Sequence, residues 1–307
     1  MRALAGFIVA GWYQAILAIV LSTLLSYLAP PLTSILGYGG AAALALYSLH
    51  EGPRSGAIVM LLAALLLGLL AELVLGQGLA VVVVSLLLWV PVWLAALVLR
   101  MTASPAAVML VLTSLAMSVA LLVFVLPGDS ASWWLRHLQG MVDAVVTQQE
   151  LAVDRQALDE FMQQVAPLMT GILAAALTFA ALTCVVVGRW WQAMLVNPGG
   201  LRKEFYALRL NRHLSLFGIA LIGLAAFAPG GAGTLALQGA LIIAVPFLFV
   251  GLAVIHASLA NLGASKAWLI GTYILMSLLP QVLMMVMVAG ALDPWLDLRQ
   301  RTATKLN

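Results

Sequence analysis

Runs of eighteen or more mostly apolar residues recur along the whole chain, and they leave few folds open. A helix of that length covers the ~30 Å hydrocarbon core of a bilayer. Within that core every backbone N–H and C=O must be paired internally, so only helices and closed barrels can cross it. A barrel would alternate apolar and polar residues in segments of about ten. The runs here are continuous, so the expected fold class is all-α, a polytopic transmembrane helix bundle. Composition agrees: 64% of the 307 residues are hydrophobic and only 8% are charged, where a soluble domain averages about 25% charged.

Nine candidate spans are expected, at about 5–28, 32–49, 57–76, 78–99, 105–127, 166–188, 214–228, 235–262 and 267–291. The breaks between them have chemical causes. Pro30-Pro31 cannot donate backbone hydrogen bonds and should end the first run. HEGPRSG, MTASP, GQG and PGGAG are turn-forming. The opening stretch has no clear small-x-small cleavage site and is expected to be a retained first span.

Lys and Arg counts set the orientation. With the N-terminus inside, Arg2, Arg54, Arg100, Arg189, Arg202, Lys203, Arg209, Arg212 and Lys266 are cytoplasmic, against Arg136, Arg155, Arg299, Arg301 and Lys305 outside. If 214–228 does not span, Lys266 moves out and the basic tail moves in, which improves the asymmetry. Both the nine-span and the eight-span arrangement put RWWQAMLVNPGGLRKEFYALRLNRH, residues 189–213, in the cytoplasm. A bacterial cytoplasmic membrane is the expected location.

Three parts are expected: a five-span N-terminal bundle (1–127), a hydrophilic segment (128–165) and a C-terminal bundle (166–307). The middle segment holds Asp129, Asp143, Glu150, Asp154, Asp159 and Glu160 against Arg136 and Arg155, which suits an extracytoplasmic face. Leu135, Leu138, Val142 and Val145, then Leu158, Phe161 and Val165, recur every three or four residues and predict amphipathic helix. Trp133-Trp134 suits the interfacial belt.

Ionisable groups inside spans are costly and often functional. Glu72 and His256 are the candidates, although Glu72 is close enough to GQG to reach water and His256 could simply bond a neighbouring helix. Gln238 and Gln281 share the outer half with Glu72, so the three form a candidate ligand pocket. Hydrogen bonding between helices is the simpler account of them. Small residues four apart (Gly6 and Ala10; Gly37, Ala41 and Ala45) permit close helix approach. No zincin, GxSxG or Walker A pattern occurs, so no enzyme is expected, nor any cofactor, metal or nucleic-acid partner. Cys184 lies alone in an apolar run, where a packing role is expected.

The basic stretch 189–213 resembles the cytoplasmic loop of the YybS-like family of bacterial membrane proteins, a domain of unknown function. Gln238-Gly239, Gly251 to His256 and Leu292 to Arg299 resemble that family's ending. The family is similar in fold to the substrate-capturing S-components of energy-coupling-factor transporters. That resemblance implies that Gly6, Ala10, Gly37, Ala41 and Ala45 contact a transmembrane coupling protein. It also implies an outward pocket, to which Glu72, Gln238 and Gln281 would belong. Two functions stay open: a small-molecule binding or transport subunit without its own ATPase, and a non-transporting scaffold holding other envelope proteins. The lipid bilayer is the one partner common to both.

Overall fold

A computed structural model describes residues 1–26, 34–126, 128–149 and 154–303; Pro30-Pro31, Glu150 and Lys305 lie outside these. The described residues form α1 (Arg2–Val9), α2 (Trp12–Ser26), α3 (Ser34–Glu51), α4 (Pro53–Leu75), α5 (Gly78–Thr102), α6 (Pro105–Val125), α7 (Ser130–Gln149), α8 (Arg155–Val165), α9 (Met169–Val196), α10 (Gly200–Tyr206), α11 (Arg212–Phe227), α12 (Gly230–Asn261), α13 (Lys266–Leu278), α14 (Pro280–Leu296) and α15 (Leu298–Ala303). A 3-10 turn, Ala166–Leu168, leads into α9. No strand occurs among the described residues.

Local chemistry sets the boundaries. Pro53 and Pro105 occupy first helical turns, where the missing N–H has no partner to lose. The Ser104 hydroxyl accepts from the Ala107 N–H, and Asp154 caps α8 the same way. Gly76 ends α4 at φ 65°, a left-handed position that glycine adopts without a Cβ clash.

α3 is the axis of the N-terminal half. Gly40 to Leu49 are all buried, and the helix packs against α1, α2, α4, α5 and α9. Its Gly- and Ala-rich sequence lets backbones approach closely. A Cβ at Gly188 of α9 would come within 2.9 Å of the Ala42 carbonyl oxygen and 3.0 Å of the Leu46 nitrogen. α9 also packs on α5 and α6, and α6 packs on α12, so helices from 1–127 and 166–307 share one apolar core. α12 crosses α14 at Gly251 and Gly290, where a Cβ on either would run into the other helix's backbone.

Among the described residues, five helical stretches have the length and apolarity to cross a bilayer: Pro53–Leu75, Gly78–Thr102, Pro105–Val125, Arg155–Val196 and Gly230–Asn261. A sixth is counted if α13 and α14 are taken together. The nine expected spans are not all recovered as single helices of bilayer length. The run at 5–28 divides at Ala10-Gly11 into two helices, and α11 has only 16 residues, about 24 Å at 1.5 Å per residue. The run at 267–291 bends by 116° between α13 and α14. Pro280 has no N–H and pushes Leu279 out of the helical region, to φ −123° and ψ 103°.

Side-chain bonds define the two ends of the bundle. At one end Arg100 donates to the carbonyls of Leu49 and His50, and Gln192 also donates to Leu49. Arg189 pairs with Glu204, and Arg299 donates to the carbonyls of Tyr206 and Leu208. Arg209 pairs with Asp297 at 2.7 Å, and Asn261 donates to the Arg299 carbonyl at 3.1 Å. The Asn261 bond joins the residues just before α13 to those just after α14, so this bent pair starts and finishes at one end. The segment leading to the C-terminus thus lies beside the 189–213 loop, where the nine-span arrangement had put it on the opposite face. The re-entrant course of 266–296 is the reason. The other end carries the α4/α5 hairpin, α7, α8 and the start of α12.

Gly290→Leu should block the α12/α14 crossing and cost about 3 kcal/mol or more, because the obstacle is backbone that cannot repack. Gly271→Ala, where a Cβ meets nothing within 4 Å, should be neutral or slightly stabilising. Thermal unfolding of the two purified variants in mild detergent checks the contrast. Equal melting temperatures would show that the crossing contributes nothing.

Candidate functional site

The recess of most defined chemistry lies at the end opposite the basic loop, beneath the start of α7. It measures about 520 Å³, within the range of about 300–1,000 Å³ usual for small-molecule sites. Its apolar walls come from the bundle: Leu87 of α5, Val119 and Val123 of α6, and Leu173, Ala174 and Leu177 of α9, with Leu87, Val119 and Leu173 exposed. Its mouth is polar and aromatic, with Asp129, Ser130, Trp133, Trp134 and Arg136 from the start of α7, and Thr170 from α9.

This mouth is built by the first turns of α7. Asp129 accepts from the N–H groups of Ala131 and Ser132 and from the Ser132 hydroxyl, nucleating the helix over the groove. The Ser132 hydroxyl bond, more than the charge of Arg136, holds the Asp129 carboxyl below the usual carboxylate range. Trp134 Nε1 donates to Thr170 Oγ1 at 3.0 Å and ties α7 to the first turn of α9. Trp133 meets Trp134 edge-on, with ring centres 4.8 Å apart, and stacks on His137 at 3.8 Å. Arg136 is exposed and lines the mouth.

The residues expected to form a pocket are placed differently. Glu72 is exposed, and its Oε2 accepts from the Gly78 N–H at 2.7 Å, closing the α4/α5 hairpin. The recess beside it is lined by residues of that hairpin alone. Gln238 is 4% exposed; its Nε2 donates to the Pro167 carbonyl at 2.7 Å, and its Oε1 is buried without a partner. Gln281 is exposed in the first turn of α14, at the bend. No described hydrogen bond or recess brings Glu72, Gln238 and Gln281 together. His256 bonds the Leu252 carbonyl of its own helix and meets Phe205 and Tyr273 edge-on.

Of the small residues, Ala41 and Ala45 are wholly buried within the chain, and Gly37 faces Ser26 of α2. Gly6 and Ala10 belong to the start of the chain, and nothing stands within 4 Å of a Cβ at Gly6. In the basic loop Arg189 pairs with Glu204 and also donates to Gln192, and Arg202 lies over the Tyr206 ring. Arg209 pairs with Asp297, while Lys203 and Arg212 are exposed. Beneath this loop lies a small apolar cavity of about 40 Å³, rimmed by the Arg189–Glu204 pair.

Two functional-looking features escaped the sequence. The groove is the space between four helices and draws its lining from Leu87 to Leu177, so only its Trp133-Trp134 mouth was visible. The buried pair of Arg299 and Asp293, 3.1 Å apart, falls in a short basic tail that charge counting treats as solvated. Burial pushes the Arg299 pKa below its ordinary value, and Asp293 opposes that shift.

An all-helical chain with several bilayer-length apolar helices and an amphipathic pair over one end is a membrane protein. It belongs to the family described as "Predicted membrane protein (DUF2232)", whose family model matches residues 16–294. No curated protein and no solved structure matches the chain.

Glu72→Leu should cost about 1 kcal/mol, the value of the lost hairpin hydrogen bond, while Glu72→Gln, whose amide oxygen still accepts, should melt like the parent. Thermal unfolding checks both. A Glu72→Gln protein of unchanged stability that loses a co-purifying small molecule would return Glu72 to a ligand pocket.

Proposed function

We propose that the chain is a non-catalytic ligand-binding subunit of a bacterial cytoplasmic membrane, with the groove beneath α7 as its binding site. One observation carries this: the groove joins an open apolar wall to an aromatic and charged rim that hydrogen bonds fix in place. Preformed recesses lined by apolar side chains, with a few placed polar groups, are the usual form of small-molecule sites. The absence of a nucleotide-binding motif in the sequence is in keeping with a partner that supplies energy, as in the S-component reading.

Charge supports the orientation. Arg54, Arg100, Arg189, Arg202, Lys203, Arg209, Arg212, Lys266, Arg299 and Arg301 gather at the end holding the basic loop; Arg136 and Arg155 are at the other. Over these twelve residues, Arg2 and Lys305 left aside, the separation is sharper than either arrangement drawn from hydropathy, and it supports a loop inside with α7 and α8 outside. A scaffold role is favoured by one feature, α13, which has no buried residue and leaves Trp268, Tyr273 and Leu278 exposed.

Leu173→Trp should fill the groove. Native mass spectrometry of the purified parent should show a retained small molecule that this variant loses, with unchanged melting temperature. Retention by both would move the binding site elsewhere, and a parent that retains nothing would favour the scaffold.

For sidedness, a Lys203→Cys variant lacking Cys184 should react with an impermeant thiol reagent only after spheroplasts are lysed. A reporter active in the cytoplasm, fused after Asn307, should be bright. Labelling of Lys203→Cys in intact spheroplasts would invert the orientation.

A further inference from the structure

We infer that the groove beneath α7 takes a hydrocarbon chain bearing an anionic head group, drawn from the adjoining bilayer leaflet, with Arg136 holding the head. This deepens the binding-subunit proposal and rests on it.

The charge pattern of the α7–α8 region singles out Arg136. Acids dominate there, yet Asp143, Asp154 and Asp129 are engaged elsewhere. Asp143 pairs with Arg155. Asp154 caps α8 through the N–H groups of Gln156 and Ala157. Both Asp129 oxygens serve the first turn of α7. Arg136 has no ion pair within 4 Å among the described residues, and it lines the groove mouth. A guanidinium that feels the Asp129 charge but forms no close ion pair still offers several donors, in a fork that matches a phosphate or carboxylate.

The rest of the groove selects the remainder of the ligand. Val119, Val123, Leu173 and Leu177 give it a floor with almost no polar surface. A soluble polar molecule would leave its hydrogen-bonding groups unmet there, at a cost that a hydrocarbon chain does not incur. Trp133 and Trp134 line the same recess as these residues and Arg136, and such rings prefer the depth where acyl chain gives way to head group. The lining thus combines hydrocarbon surface, two indole rings and one cation, the three chemistries that suit an anionic amphiphile.

The test uses the full chain in phosphatidylcholine vesicles carrying a few mole per cent of a photoreactive-chain lipid. The probe chain is placed on phosphatidylglycerol in one arm and on phosphatidylcholine in the other, and adducts are mapped by peptide mass spectrometry. Adducts are expected within 119–126 and 170–177, about tenfold stronger for phosphatidylglycerol, the effect of one charge-assisted hydrogen bond. Arg136→Gln should erase that preference without lowering phosphatidylcholine labelling or the melting temperature, and Arg136→Lys should keep part of it. Equal labelling by the two head groups in the parent overturns the anionic assignment and leaves the groove as a binding site. A preference that survives Arg136→Gln overturns the role of Arg136. Absence of groove adducts from either lipid overturns this inference, while loss of a retained polar molecule from Leu173→Trp would still uphold the binding subunit.

Discussion

In hydrocarbon a helix gains little by exchanging lipid for another apolar helix, so packing depends on how closely two backbones can approach. This constraint organises the bundle. α3 is buried on nearly all sides because its Gly and Ala positions let α2 and α9 close against it, with Gly188 of α9 facing Ala42 and Ala45. The same device joins α12 to α14 at Gly251 and Gly290. Fixing α9 against α3, α5 and α6 gives the groove its wall, and fixing α14 against α12 holds the bent pair in place.

The end with the basic loop is closed by polar contacts of unusual reach along the chain. Arg299 is 6% exposed and satisfies two carbonyls left open where α10 ends, while Asp293 neutralises it. A buried pair of this kind is weak evidence of net stability, since desolvation offsets much of the attraction. Its value is positional: it holds α15 against the loop. Removing one partner alone would leave a buried charge, which is the costly outcome.

The opposite end is built to be open. α7 is tied to α9 by the Trp134 hydrogen bond to Thr170 and to α8 by the Asp143–Arg155 pair, and it roofs a recess that none of its own residues fills. Glu72, which hydropathy marks as a costly intramembrane acid, instead closes the α4/α5 hairpin from an exposed position. Its position one turn from Gly76-Gln77-Gly78 already allowed that outcome. Gln238 and Gln281 share with it a depth along the sequence but no contact, because depth does not specify which way a helix is turned.

The sequence by itself determined the class of fold, the positions of most helices and the membrane character, because these follow from run length, hydropathy and the chemistry of Pro, Gly and capping residues. It determined the amphipathic nature of 128–165, although in α8 Met162 is buried and the expected Phe161 is exposed. It determined too that 189–213 lies at an end of the bundle. Only the tertiary structure decided that 267–291 doubles back. Hydropathy sums composition and is blind to direction, whereas Pro280 changes the chain's course without changing its apolarity. The groove was also invisible, since a recess is the space left between α5, α6, α7 and α9, and no single segment encodes it.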